Sequence, residues 1–243
     1  MKLIKPSVEI IPQSTGLEGV YKQIEKAGRT CYKSEDKITE DSAKKFVDML
    51  ANNKHGAMLE HGTVYLNIPI KFGNHVTVEE YLENPYSRVG KDMGNHNWCI
   101  TTNLRVLTEN DWLEDLQYIC EPTEHHVKRV TAKFTIDNGI MREFTRHRTM
   151  SFACESTRYC NYSKSKFDSN VTYVIPSWVA LDEQVINSRL EGNSTIEHFI
   201  NGLLDAEDAY FTLLQEGWKP QQARNVLPLG TKWDIIMTGF VSD

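Results

Sequence analysis

The densest chemistry in the sequence is one run: Arg146-His147-Arg148-Thr149-Met150-Ser151-Phe152-Ala153-Cys154-Glu155-Ser156-Thr157-Arg158-Tyr159. Successive residues of a helix turn by about 100°, so Arg146, His147 and Arg148 at a helix end cannot share a face. Such a triplet suits one extended anion touched at several points, or two ligands at once. Glu155, Ser156, Thr157 and Arg158 add an acceptor, two hydroxyls and another guanidinium, a set matched to a phosphate joined to a polar ring. The plainer reading of the run is an RNA-contacting basic stretch or a salt-bridged surface face.

Charge distribution favours a focused site. Met141 to Lys166 carries six basic residues (Arg142, Arg146, Arg148, Arg158, Lys164, Lys166) against Glu143 and Glu155, a net +4 within a chain of −6. An acidic protein with one basic segment is a poor general ligand for nucleic acid, which rewards broad basic faces. It suits one or two small anions instead, phosphates above all. The rival is a nucleic-acid-binding module over 142–166 in which Phe144, Phe152, Tyr159 and Tyr162 stack on bases. A third reading makes Cys154 a thiol nucleophile activated by Arg148 and Arg158; the alternative is a small buried residue in the helix or the turn after it. Cys154 and Cys160 lack a second pair at zinc spacing, so no metal site is expected. The sequence contains no GxGxxG after a strand, no Walker A loop, no HExxH and no GxSxG.

The elements that must position this run are read from periodicity. With 243 residues, 40% hydrophobic and 25% charged, the chain can bury a sizeable core, and it is neither collagen, coiled coil nor disordered. Five cysteines, an odd number, fit a reducing cytoplasmic setting. No signal-like apolar run follows MKLIKPSVEI, and no stretch approaches the roughly 18 apolar residues of a membrane span. Helices are expected near 17–29 and 39–52. A strand over 63–70 should point Val64, Leu66 and Ile68 one way. A second strand over 127–136 should bury Val130, Ala132, Phe134 and Ile136 and expose Arg129, Thr131, Lys133 and Thr135. Asp137-Asn138-Gly139 turns into a helix running toward Met150. Residues 71–125 read as a polar insertion with a short strand at 98–107 and a short helix near 110–119. Ser194 and Glu197 form a capping box for a helix that Gly217 stops, and Pro220 opens a further short one. The expected class is α+β, an antiparallel sheet flanked by helices, in a single domain spanning 1–243.

Arg146-His147-Arg148, seven residues, then Ser156 and Arg158-Tyr159 resembles the RHR-x7-S signature of the flavin-dependent thymidylate synthases. His55 and Glu60-His61 resemble that family's upstream histidine and Glu-His pair. Ala223-Arg224-Asn225-Val226-Leu227-Pro228 resembles its ARxxLP element. The resemblance implies conversion of dUMP to dTMP, with methylenetetrahydrofolate as one-carbon donor and NADPH-reduced FAD as hydride source, in a homotetramer holding FAD between subunits. It assigns Arg146, His147 and Arg148 to FAD, with Glu155 beside them, and Glu143, Glu155, Ser156, Thr157, Arg158 and Arg224 to dUMP. Ser156, Arg158 and His55 are the catalytic assignments. Glu143 stands where the family often has Gln, and Ala153-Cys154 where many relatives have Asn-Glu. The family continues past Thr238 into a helix with FAD contacts and a late arginine that helps ionise the pyrimidine. The end at Asp243 therefore reads as a truncation, with dUMP binding kept and turnover impaired.

Arg146→Ala or Arg148→Ala is expected to weaken FAD binding with the fold intact, because each guanidinium would supply a charge-assisted bond of about 1.5–3 kcal/mol. Titration of added FAD by flavin fluorescence checks this; unchanged affinity in both variants contradicts it.

Overall fold

The structure is a computed structural model describing residues 1–70, 78–156, 161–164, 167 and 169–242. The chain divides into two compact units: a larger one of residues 9–133, 147–153 and 236–243, and a smaller one of residues 1–8, 134–146 and 154–235. Helices and mainly antiparallel strands alternate irregularly through both, which is the α+β class expected.

In the larger unit, strands β3 (Thr63–Pro69), β4 (Arg88–Asp92) and β5 (Asn97–Asn103) form an antiparallel sheet in the order β3-β5-β4. The register places Leu66 opposite Ile100 and Ile68 opposite Trp98. The alternation of β3 holds: Val64, Leu66 and Ile68 are buried. They join Val20 and Ile24 of α1 (Gly16–Tyr32) and Phe46 and Leu50 of α2 (Ser42–Asn52) in one core. Gly62, just before β3, lets α1 close on it, since a Cβ there would lie 2.6 Å from Ile24 Cδ1 and 2.7 Å from Val20 Cγ1. That close approach requires glycine.

The segment read as polar and irregular supplies much of this core. Tyr81, in α3 (Val78–Glu83), together with Ile100, Leu104 and Leu107, is packed within it. The strand expected at 98–107 stops at Asn103, because the Asn103 side chain accepts the Val106 N–H at 3.1 Å and caps α4 (Leu104–Glu109). An Asn at an N-cap converts strand to helix in one residue. The helix expected near 110–119 is a 3₁₀ segment, Leu113–Tyr118.

Strands β2 (Ser7–Ile10), β6 (Arg129–Asp137), β10 (Lys232–Phe240) and β7 (Ser151–Cys154) run in the order β2-β6-β10-β7. Here the expected alternation of β6 fails at its start. Val130 is 41% exposed and Thr131 only 6%. The reason is a buried polar chain: Thr131 Oγ1 bonds Thr238 Oγ1 at 2.9 Å, and Thr238 Oγ1 bonds His61 Nδ1 at 2.8 Å. A hydrophobic period cannot reveal a threonine buried for its hydroxyl.

In the smaller unit, β1 (Lys2–Ile4) pairs parallel with β8 (Thr172–Val174) and antiparallel with β9 (Gln184–Val185). Leu3, Tyr173 and Val171 pack with Ile200, Leu203 and Tyr210 of the long helix α6 (Thr195–Gln215). The Ser194–Glu197 capping box opens α6, and Gly217, at φ 91°, follows its end. Buried Glu207 of α6 accepts the Val171 N–H at 2.7 Å, tying the helix to the strand region. The helix expected to run toward Met150 is short: α5 spans Asn138–Phe144, and β7 begins by Ser151.

His61 is fully buried, and desolvation, with Arg129 nearby, pushes its pKa down to about 3; the backbone of Phe152 offsets this only in part. An unfolded histidine takes a proton below about 6.5 whereas the native one resists it until about 3, so this stability is present above 6.5 and lost as pH falls. Between pH 7 and pH 5 the loss should be about 2 kcal/mol. Urea unfolding at both values should show His61→Asn losing that much less than wild type; equal losses contradict it.

Candidate nucleotide site

A cavity of the smaller unit, about 360 Å³, is lined by Asn138, Arg142, Arg224, Asn225, Thr231 and Trp233, with Met141, Leu227 and Pro228 completing its wall. Three pieces of chain build it. Asp137 caps α5 by accepting the Ile140 N–H at 2.8 Å, and the Asn138 N–H lies 2.9 Å from the Leu229 carbonyl and 3.0 Å from that of Thr231. The start of α5 is thereby fixed to the loop before β10. Asn138, Met141 and Arg142 sit three and four residues apart, the spacing that puts them on one helix face.

Arg224 arrives by a second route. Pro220 takes the first position of α7 (Pro220–Ala223), where its missing N–H costs nothing, and the Gln222 side chain accepts the Lys219 N–H at 2.9 Å. Ala223 is fully buried, and a 3₁₀ turn, Arg224–Val226, follows it. Thr231 Oγ1 donates to the Pro228 carbonyl at 2.7 Å, closing the loop that leads into β10. Strand alternation then places Thr231 and Trp233 on one side.

The chemistry of this lining is specific. It carries two guanidiniums, two amides, a hydroxyl and an indole, and among the described residues no carboxylate lines it. Paired guanidiniums grip a phosphate by charge-assisted bonds, and an indole face accepts a planar ring. The cavity suits a nucleoside monophosphate.

Of the residues expected to act, the cavity gathers Arg224. Glu143 and Arg146 pair with each other at 2.5 Å on an exposed stretch. His147 and Arg148 are exposed in the turn before β7, and His55 is exposed at the head of a 3₁₀ segment, Gly56–His61. Glu155 is 1% exposed, and its carboxylate is turned onto Lys232 at 2.9 Å. Ser156, next in sequence, is half-buried. Thr157, Arg158 and Tyr159 lie outside the described residues. Arg142 and Trp233 were missed as site residues. Arg142 had its signal in the four-residue spacing from Asn138, and Trp233 in its alternation with Thr231.

Neither rival finds support in the described side chains. Phe144 packs edge-on against Phe134 at 4.9 Å, and Tyr162 is 4% exposed between Phe167 and Tyr210. They stack on protein, not on display for bases. Cys154 sits in β7, not in a helix or turn, and burial pushes its thiol up to about 11. Among the described residues no cluster of three or more His, Cys, Asp or Glu forms a metal site, and no helix is long and apolar enough to cross a membrane.

An α+β fold carrying a cavity lined by two guanidiniums defines the class. The family described as thymidylate synthase complementing protein matches residues 117–241, half of the chain. The chain belongs to that family. A flavin-dependent thymidylate synthase of Haloarcula marismortui is 29% identical over 123 residues, 46% of this chain and 50% of the relative. The chain thus spans about half the length of the curated relative it matches. Solved structures of the UMP/dUMP methylase PolB from Streptomyces cacaoi are 18% identical. The complex with 5-Br dUMP covers 99% of this chain and 75% of the other at a TM-score of 0.40. The complex with 5-Br UMP covers 99% and 74% at 0.39.

A thiol held near 11 is almost wholly protonated at neutral pH. Alkylation of Cys154 at pH 8, followed by peptide mass spectrometry, should run about a hundredfold slower than for free cysteine. A rate equal to that of free cysteine contradicts the buried, unactivated thiol.

Proposed function

We propose that the chain acts as a flavin-dependent thymidylate synthase, binding dUMP in the Arg142–Arg224 cavity and methylating it to dTMP. The single observation that carries this is the convergence of Arg142 and Arg224 on one cavity, lined by no carboxylate among the described residues, within the segment that matches the family. Arg224, in the ARxxLP-like element, holds the phosphate, and Arg142 is its second arm. Trp233 walls the pyrimidine side. These residues bind and orient; electrostatic activation of the ring, rather than attack by an enzyme thiol, is the protein's part. That agrees with the protonated state of Cys154.

FAD belongs with Arg146, His147 and Arg148. Their side chains are exposed and cationic or hydrogen-bonding, which fits a diphosphate; Arg146 would exchange its partner Glu143 for the anion. When bound, FAD reduced by NADPH supplies the hydride, and methylenetetrahydrofolate the carbon. A homotetramer with flavin between subunits accords with a triplet displayed on the surface. Ser156, Arg158 and His55 complete the proposed set, with Glu143 and Thr157 beside the nucleotide. Glu155 accepts from Lys232 through Oε2, so its proposed part beside the ligands includes placing Ser156.

Calorimetry with dUMP tests the reading. Arg224→Ala and Arg142→Ala should each weaken binding at least tenfold, the worth of one charge-assisted bond. Undiminished affinity in both variants contradicts the assignment of the cavity.

A further inference from the structure

Strand alternation gives the start of β10 two different jobs. Thr231 and Trp233 line the cavity, while Lys232 and Asp234 fall on the opposite side. On that side three ionic groups are tied together. Lys232 Nζ donates to Asp234 Oδ2 at 2.6 Å and to Glu155 Oε2 at 2.9 Å. Glu155 Oε2 also accepts the Asp234 N–H at 3.1 Å, and the Glu155 N–H reaches the Asp234 carbonyl at 2.8 Å. Thr135 Oγ1 donates to Asp234 Oδ1 at 2.8 Å, fixing the remaining oxygen. The side chains are 17% exposed for Lys232, 1% for Glu155 and 5% for Asp234.

One buried ammonium between two buried carboxylates is a poor source of stability, because desolvation offsets most of the attraction. Its strength is geometric: every partner is specified by direction as well as distance. The two backbone segments it joins are the cavity wall at Thr231 and Trp233 and the strand end that delivers Ser156. Removing Lys232 would take away the ammonium that both carboxylates share and the side-chain link between the two strand ends.

We propose that Lys232 is a positioning residue for nucleotide binding: by clasping Glu155 to Asp234 it fixes the end of β7, which Ser156 follows, to the start of β10, which carries Trp233. The inference rests on the nucleotide reading of the cavity. It assigns Glu155 an internal role, and it predicts that affinity for dUMP depends on a lysine that does not touch the ligand.

The test compares dUMP affinity, by calorimetry well below the melting temperature, in wild type, Lys232→Met, Lys232→Arg and Arg224→Ala. Lys232→Met should bind at least tenfold more weakly, and Lys232→Arg, which keeps the charge and both acceptors, should recover to within about threefold of wild type. A purely structural lysine would lower the melting temperature and leave the affinity of the folded protein unchanged; that result overturns the proposal. Should Lys232→Met not fold, Glu155→Gln carries the test, with weakened binding expected and unchanged binding overturning it. If Arg224→Ala abolishes binding while Lys232→Met leaves it intact, the clasp is wrong and the cavity reading stands. A wild-type chain that does not bind dUMP overturns both.

Discussion

Two like charges, Arg142 and Arg224, must be held on one cavity, and the smaller unit is organised around that requirement. Arg142 is exposed and Arg224 half-buried, and like charges that line one cavity repel. The backbone carries the cost. Asn138 is fixed by the carbonyls of Leu229 and Thr231, Asp137 caps the helix that presents Arg142, and buried Ala223 anchors the turn that presents Arg224. A site preorganised in this way spends little of an incoming anion's binding energy on rearrangement.

The same economy explains why the strand behind the cavity is ionic rather than apolar. Trp233 lines the cavity, while its neighbours Lys232 and Asp234 lie on the other side, where both bond Glu155. In the larger unit the corresponding polar device is neutral. His61, Thr238 and Thr131 share hydrogen bonds in a fully buried row, where a proton on the imidazole would be costly. Both devices place polar groups at defined positions on strands that apolar packing alone would allow to shift.

Where hydrophobic periodicity governs burial, the fold was legible. Val64, Leu66 and Ile68 of β3 and the capped helix α6 followed from spacing and cap chemistry alone. Where side-chain hydrogen bonds override the period, it was not: Thr131 is buried for its hydroxyl, and Asn103 ends a strand by capping a helix. The site divides in the same way. Arg224 was legible because a contiguous motif surrounds it, whereas Arg142 and Trp233 meet only after the chain folds. Glu155 was legible as an acceptor but not as a partner of Lys232, because that pairing joins residues distant in sequence.

The occupant proposed for the cavity of Arg142, Arg224 and Trp233 is a nucleoside monophosphate. A crystal structure of the chain soaked with dUMP tests it most directly. Phosphate density is expected between the guanidiniums of Arg142 and Arg224, with the pyrimidine toward Trp233. Density for dUMP at any other place on the chain, with this cavity holding only solvent, would contradict it.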